Sequence, residues 1–281
     1  MASTSMEAPR KGSKILSHLA LALGAVVMLL PFYWMLSTAL KTEAEAIAYP
    51  IKWFPSVPQV HNFLEAWQFQ PLWTRYFFNS FFVAITTVVL EVIIAAMAAY
   101  AFAKMEFFGK NLIFGLFLAT MMVPGEVLLV PNFITLANFG WVDKYPALIV
   151  PWVVSVFAIF LLRQHFFQIP KELQEAAFLD GSGHIRFLFQ IVLPLSRPAL
   201  ATVALLKFIG SWNAFLWPLL VTNSPEMRTV QNGLSSFMQE AGAHYHIWMA
   251  AATLALLPVL VIFLILQKQF YASVARSGLK G

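Results

Sequence analysis

Two ionisable residues, Glu91 and Lys207, stand inside long apolar runs, "TTVVLEVIIAAMA" and "VALLKFIG". A charge facing lipid is costly, so such residues turn toward a bundle interior or a wet cavity. Their opposite signs suit a mutually neutralising pair between two helices. They equally suit two groups lining a route for a polar solute. A second candidate is "GSWNAFLWP", which holds Trp212, Asn213 and Trp217. Aromatic rings stack on the C–H faces of a solute and an amide binds its hydroxyls, so Trp212 and Asn213 are candidate contacts in such a route. Trp217 also suits an aromatic belt at a membrane interface.

Other chemistries are poorly supplied. The chain has no cysteine, which removes disulfides, thiolate metal sites and thiol catalysis. His244 and His246 in "HYH" lack further clustered ligands, so no metal site is assigned. No Ser/His or paired-Asp arrangement falls within the apolar runs, which argues against an intramembrane hydrolase. There is no G-x-x-x-x-G-K-[ST], so the chain itself is expected to bind no nucleotide and no cofactor. The net charge of +5 does not point to nucleic acid, because the basic residues lie between apolar runs, where they set membrane orientation.

The elements that hold these residues follow from composition. Of 281 residues, 60% are hydrophobic and only 11% charged, and the mean hydropathy is +0.73. A soluble domain carries about 25% charged residues. Crossing a hydrocarbon core takes about 20 mostly apolar helical residues. Six stretches reach that length: Ile15–Leu36, Tyr76–Ala103, Asn111–Leu136, Pro146–Ile169, Pro198–Val221 and Ile247–Tyr271. The third contains "MVPGEVLLVP", so its helix is expected to break near Pro124, with irregular backbone tolerated only against protein or a wet cavity. The first run is too long for a signal peptide and lacks a small-residue cleavage site, so it reads as an anchor.

Orientation follows from the connections. Arg10, Lys11, Lys14, Lys104, Lys110, Arg163, Lys171, Arg186, Arg197, Lys268, Arg276 and Lys280 fall on the side of the N-terminus. Lys41, Lys52, Arg75, Lys144 and Arg228 fall on the other. The richer side is cytoplasmic, so both termini are expected there. The long outer segment holds "YPIKWFPSVPQV", which favours extended chain, and "HNFLEAW", a short interfacial helix with Trp67 as anchor.

One cytoplasmic connection, "PKELQEAAFLDGSGHIRFLFQIVLP", is polar and structured by its own signals. Pro170 suits a first helical turn. Leu173, Ala176 and Ala177 share one face by spacing, with Glu172 and Glu175 on another. Asp180-Gly181 stops the helix, since glycine takes the left-handed conformation. Ser182 caps a second helix that Pro194 ends. The two alanines let a partner groove approach the backbone, and Glu175 offers a carboxylate to an arginine across that contact. An amphipathic helix lying on the membrane without a partner is the simpler alternative.

Glu175, Ala176, Ala177, Gly181, Ile191, Leu193 and Pro194 fit every position of E-A-A, three residues, G, nine residues, I-x-L-P. In this the chain resembles the permeases of ATP-binding-cassette importers. "AAYAFAKMEFFGK", "ATMMVP", "LPLSRPALAT", "FIGSWNAFLWPL" and "SGLKG" resemble the carbohydrate-uptake branch, on the side of the maltose and glycerol-3-phosphate permeases. The resemblance covers nearly the whole chain from the first span. It implies an all-α integral membrane protein with six transmembrane helices of the type I importer architecture. It makes the polar connection a coupling helix docking on an ATPase, with Glu175, Ala176, Ala177, Asp180 and Gly181 at the contact. It also implies partners: a second homologous permease, two cytoplasmic ATP-binding subunits that use ATP and Mg, and an extracytoplasmic substrate-binding protein. The C-terminal "ARSGLKG" can reach the ATPases in that family. The chain departs from the family in three places: Glu91 and Lys207 replace uncharged residues, and Ala214 stands where relatives often carry an acid.

The expected organisation is a cytoplasmic tail over 1–14, a permease domain over 15–271 with its coupling loop at 170–194, and a cytoplasmic tail over 272–281. The expected location is the plasma (inner) membrane of a bacterium or archaeon, in contact with lipid and not with nucleic acid. The expected role is a non-catalytic half-pathway for a sugar or related solute. The competing reading is a stand-alone secondary transporter or channel for small polar solutes.

Overall fold

A computed structural model describes residues 11–241 and 244–278, with side chains described over 17–237 and 244–269. Arg10, Lys280 and the ends of both expected tails lie outside the described residues. Every regular element described is helical. In chain order they are α1 (Lys11–Ala39), α2 (Glu43–Ala46), α3 (His61–Phe69), α4 (Trp73–Lys104) and α5 (Lys110–Thr120). A 3-10 turn, Gly125–Leu128, leads into α6 (Leu129–Asn138), then α7 (Tyr145–Ile149), a second turn Val150–Trp152 and α8 (Val156–Phe167). There follow α9 (Lys171–Leu179), α10 (His184–Phe187), a π turn Leu188–Val192 and α11 (Leu193–Leu195). The chain closes with α12 (Arg197–Trp212), α13 (Leu216–Val221), a short turn Pro225–Met227, α14 (Val230–Ala241) and α15 (Tyr245–Gly278).

Three of these helices, α1, α4 and α15, are long and apolar enough to cross a membrane, and three bent pairs pass the same test together. The third expected span breaks where Pro124 predicts: α5 and the segment from Gly125 to Asn138 meet at 88°. The fourth bends by 43° after Trp152, because Pro151 lacks an N–H and Ser155 restarts the ladder, its Oγ accepting from the Ala158 N–H at 3.2 Å.

Four expectations need correction. The fifth span does not run unbroken from Pro198 to Val221; α12 stops at Trp212 and α13 begins at Leu216. Pro218 forbids a continuous helix, since its ring clashes with the carbonyl four residues back, so it sits in the first turn of a new one. Pro194 does not end the second helix of the polar connection, because it follows the π turn, where the ladder is already out of α register. Gly183, not Ser182, occupies the cap position before α10, and Pro170 sits one residue before α9 rather than inside it.

The contacts divide the chain into two compact units. One comprises residues up to Phe69 together with Phe237–Leu254. There the end of α1 is tied to the following segment, with the Tyr33 and Ser37 hydroxyls donating to the Trp53 carbonyl at 2.8 and 2.6 Å. Asn62 donates to the carbonyls of Ala39 and Lys41, both at 2.8 Å. Lys41 is fully buried, its ammonium 4.0 Å from the centre of the Trp34 ring. Burial pushes its pKa down, while Glu45 nearby works in the opposite direction.

The other unit comprises Gln70–Ser236 and the chain from Ala255. Helices α4, α8 and α12 pack directly on one another there. Alanines 95, 96, 99 and 103 of α4 and Ala158 and Ala199 opposite are buried in one cluster with Leu162, Phe166 and Val203. Small residues let helix backbones approach closely where lipid offers no hydrophobic drive.

Candidate functional site

Three helix breaks in this second unit border one cavity of about 460 Å³. They are the turn at Gly125 and Glu126, the turn ending at Trp152, and the gap between α12 and α13 at Ala214 and Phe215. Backbone freed from the helical ladder at such depth must face protein or a wet cavity. The polar lining comes from Ser80, Glu126, Lys207, Ser211 and Thr229, and the aromatic lining includes Trp152 and Trp217. Glu126 marks the predicted break in the sequence; Ser80, Ser211 and Thr229 carry no signal there, because isolated hydroxyls in apolar runs usually satisfy their own helix.

Glu91 and Lys207 meet. The Lys207 ammonium lies 2.6 Å from Glu91 Oε2 and donates to the Trp152 carbonyl, also at 2.6 Å. Their side chains keep only 4% and 16% of their exposure. One cation thus joins α4, α12 and the bent fourth span. A second, smaller cavity of about 170 Å³ touches Glu91, Ser155 and Val203, and Leu206 and Lys207 line both cavities.

The aromatic candidates divide. Trp212 is 1% exposed, donates to the Ala255 carbonyl at 3.0 Å and is ringed by Phe77, Phe81 and Phe208. Its surface is spent on its own chain, so it cannot stack on a sugar. Asn213 is exposed at the helix break, its amide oxygen accepting from Gln231 at 3.3 Å. Trp217 is buried rather than interfacial and donates to the Ala147 carbonyl at 2.9 Å.

The segment after α13 is fastened to α4. Asn79 donates to the carbonyls of Glu226 and Arg228, both at 2.8 Å, and accepts from the Tyr145 hydroxyl at 2.7 Å. Ser80 accepts from the Val230 N–H at 2.9 Å. Gly233 has no room for a Cβ, which would collide with the Tyr76 ring. Asp143 accepts from the N–H groups of Asn223 and Ser224 at 2.9 and 3.0 Å. Partial burial raises its pKa, but the bonds from Ser224 and Asn223 outweigh this and leave it below the usual value.

The polar connection forms a helix, a turn and a second helix. Gly181 takes φ +80°. Its N–H bonds the Phe178 carbonyl at 3.0 Å and the Ser182 N–H bonds that of Ala177 at 2.9 Å, the paired pattern that closes a helix on a left-handed glycine. The connection is bonded to the end of α4: Lys104 donates to the Ile169 carbonyl, Gln174 donates to the Lys104 carbonyl at 3.2 Å, and the Tyr100 hydroxyl lies 2.8 Å from His184 Nδ1. Glu175, Ala176 and Asp180 are exposed. Leu179 and Ile185 are apolar yet 90% and 76% exposed. Ala177 differs from the expectation, being 7% exposed and packed in the cluster of α4, α8 and α12. Its side chain supports the connection from within and cannot meet a partner.

His244 and His246 do not converge on a common ligand; His244 lies 3.2 Å from Glu43, and the His246 ring is buried.

The family described as binding-protein-dependent transport system inner membrane component matches residues 91–276. The chain is 34% identical over 259 residues to the arabinooligosaccharide transport permease AraQ of Bacillus subtilis, covering 92% of each. It is 35% identical over 270 residues to the sulfoquinovosyl glycerol transport permease SmoH of Agrobacterium fabrum, covering 95% of this chain and 94% of that one. It is 34% identical over 268 residues to the sn-glycerol-3-phosphate transport permease UgpE of Yersinia enterocolitica, covering 93% and 95%. Among solved structures, a chain of a bacterial ABC transporter that imports the acidic polysaccharide alginate superposes with a TM-score of 0.84 at 22% identity, covering 94% of this chain and all of that one.

Proposed function

Because the chain belongs to the family of binding-protein-dependent transport system inner membrane components, we propose that it forms half of a translocation pathway for a polyhydroxylated, carbohydrate-like solute, driven by ATP-binding subunits docking on α9. The chain is an all-α, multi-pass, non-catalytic permease subunit of an importer. A second, related permease completes the pathway, a binding protein outside the membrane delivers the solute, and two partner subunits spend ATP with Mg. Both termini lie in the cytoplasm of a bacterium or archaeon, as the excess of Lys and Arg on that side favours. The tails over 1–14 and 272–281 flank a permease domain over 15–271.

The observation that carries this reading is the connection 170–194. It leaves Glu175, Leu179 and Ile185 exposed while the end of α4 holds it, Lys104 donating to the Ile169 carbonyl just before it and accepting at its own carbonyl from the Gln174 side chain. An exposed apolar pair beside a carboxylate suits a protein groove carrying an arginine. Asp180 and Gly181 shape the turn. The solute class is inferred from relatives named for oligosaccharides and for glycerol derivatives and from the hydroxyl- and Trp-lined cavity. Glu91 and Lys207 belong to the pathway wall, and Asn213 stands at its broken helix.

The test is ATP-dependent uptake of a panel of oligosaccharides and polyol derivatives into vesicles holding the assembled complex. Stimulated uptake that needs both ATP and the binding protein is expected. Uptake by this chain alone, indifferent to ATP, would overturn the reading.

A further inference from the structure

The arrangement around Lys207 is more specific than a pathway wall requires. Ser80 and Ser211 line the larger cavity, while Glu91, Ser155 and Val203 line the smaller. Along α4, Glu91 lies about 16 Å beyond Ser80 at 1.5 Å per residue, so the two cavities succeed one another along the helix axis. Leu206 and Lys207 stand between them, lining both. The Lys207 side chain is held across this point by an ion pair with the Glu91 carboxylate on α4 and a hydrogen bond to the Trp152 carbonyl released by the helix break, each at 2.6 Å.

Both helices that carry the pair are attached to the polar connection. The inner end of α4 is bonded to it through Lys104 with Ile169, through Gln174 with the Lys104 carbonyl, and through Tyr100 with His184. α12 follows from it through the π turn and α11. A movement of the connection therefore acts on α4 and α12 together, and a shear between them changes the Glu91–Lys207 contact that joins them.

We propose that Lys207, clamped by Glu91 and the Trp152 carbonyl, is the barrier between an outer and an inner half of the pathway, and that the clamp must part for solute to pass. This rests on the reading of the cavity as a pathway. A charged barrier is selective by its chemistry. A passing solute must offer hydroxyls to an ammonium and a carboxylate that have lost each other, which a polyhydroxylated molecule does and an apolar one does not. Leu206 beside it adds an apolar side chain that lines both cavities.

The chain has no cysteine, so single thiols report access directly. In the assembled complex with its charges intact, Ser211→Cys reports the larger cavity and Ser155→Cys the smaller. A membrane-impermeant thiol reagent applied from one side is expected to modify one of the two at least tenfold faster than the other. Adding Glu91→Gln or Lys207→Met is expected to bring the two rates within about threefold, and to raise ATP hydrolysis in the absence of binding protein. The exchange Glu91→Lys with Lys207→Glu is expected to restore the difference. Equal rates at the two thiols with native charges would overturn the barrier, whatever becomes of the charge variants. So would a difference in rates that persists unchanged when the pair is removed from a complex assembled in normal amount. If no ATPase accompanies the chain, the transport reading fails instead, and the labelling difference can still stand.

Discussion

Glu175 and Ala177, two residues apart on α9, face opposite ways: the carboxylate is exposed, and the methyl is 7% exposed inside the cluster of α4, α8 and α12. Their substitutions therefore act by different routes. Glu175→Lys places like charge against the arginine proposed for the partner groove, which would lose a charge-assisted contact of about 1.5–3 kcal/mol and add repulsion. Insertion and fold are expected to survive while ATP-coupled uptake is lost. Ala177→Trp overpacks the chain's own interior, at about 1–3 kcal/mol or more, and is expected to lower the amount of folded protein. Uptake normalised to inserted protein separates the two.

The buried ion pair sets a second expectation. Removing one member leaves the other charge uncompensated, which costs about 3–5 kcal/mol in buried pairs. Glu91→Leu and Lys207→Met are each expected to destabilise the chain more than the two together. Thermal unfolding of the four proteins in detergent gives the cycle, and additive losses would mean that the residues act independently.

The segment after α13 gives a third. Gly233→Ala drives a methyl into the Tyr76 ring, and Asn79→Ala removes two bonds to the carbonyls of Glu226 and Arg228. Both are expected to speed hydrogen exchange over 222–236. Gly210→Ala, where a Cβ meets nothing within 4 Å, is the matched control and is expected to leave exchange there unchanged.

Acidity gives a fourth. The carboxyl of Glu45 is held down to about 2, first by its bond to Ser56 and then by Thr42 and Lys52. An unfolded glutamate titrates near about 4.3. The support it gives is therefore fully present above that value and is lost as pH falls toward 2. Fluorescence of a chain retaining Trp53 as reporter is expected to be flat from neutral pH to about 5 and to change only below about 4. Glu45→Gln is expected to abolish that acid-dependent change.

Much of this was legible in the sequence because hydropathy over a span is a sum of many residues. The six apolar runs, the break at Pro124 and the left-handed Gly181 all follow from chemistry local to the chain. The pairing of Glu91 with Lys207 was half legible: two opposite charges in lipid-length runs need partners, but only packing decides which. What failed depended on direction. Ala176 and Ala177 share a helical stripe by spacing, yet neighbours stand about 100° apart around a helix, and the packing of α9 leaves one out and one in. Trp212 has the same chemistry whether it faces a solute or three phenylalanines. The anchoring by Asn79, Ser80 and Tyr145 joins residues far apart in sequence whose polarity alone says nothing of a partner.

The central claim is that an ATPase subunit sits on the connection at α9, and a photo-crosslinking residue at Leu179 tests it most directly, since that side chain is 90% exposed at the turn. In membranes holding the assembled complex, the account predicts a covalent adduct with a nucleotide-hydrolysing subunit, altered in yield by ATP, and none from the same probe at Leu64. Absence of any protein adduct at Leu179, with solute uptake undiminished when the chain is reconstituted alone, would contradict it.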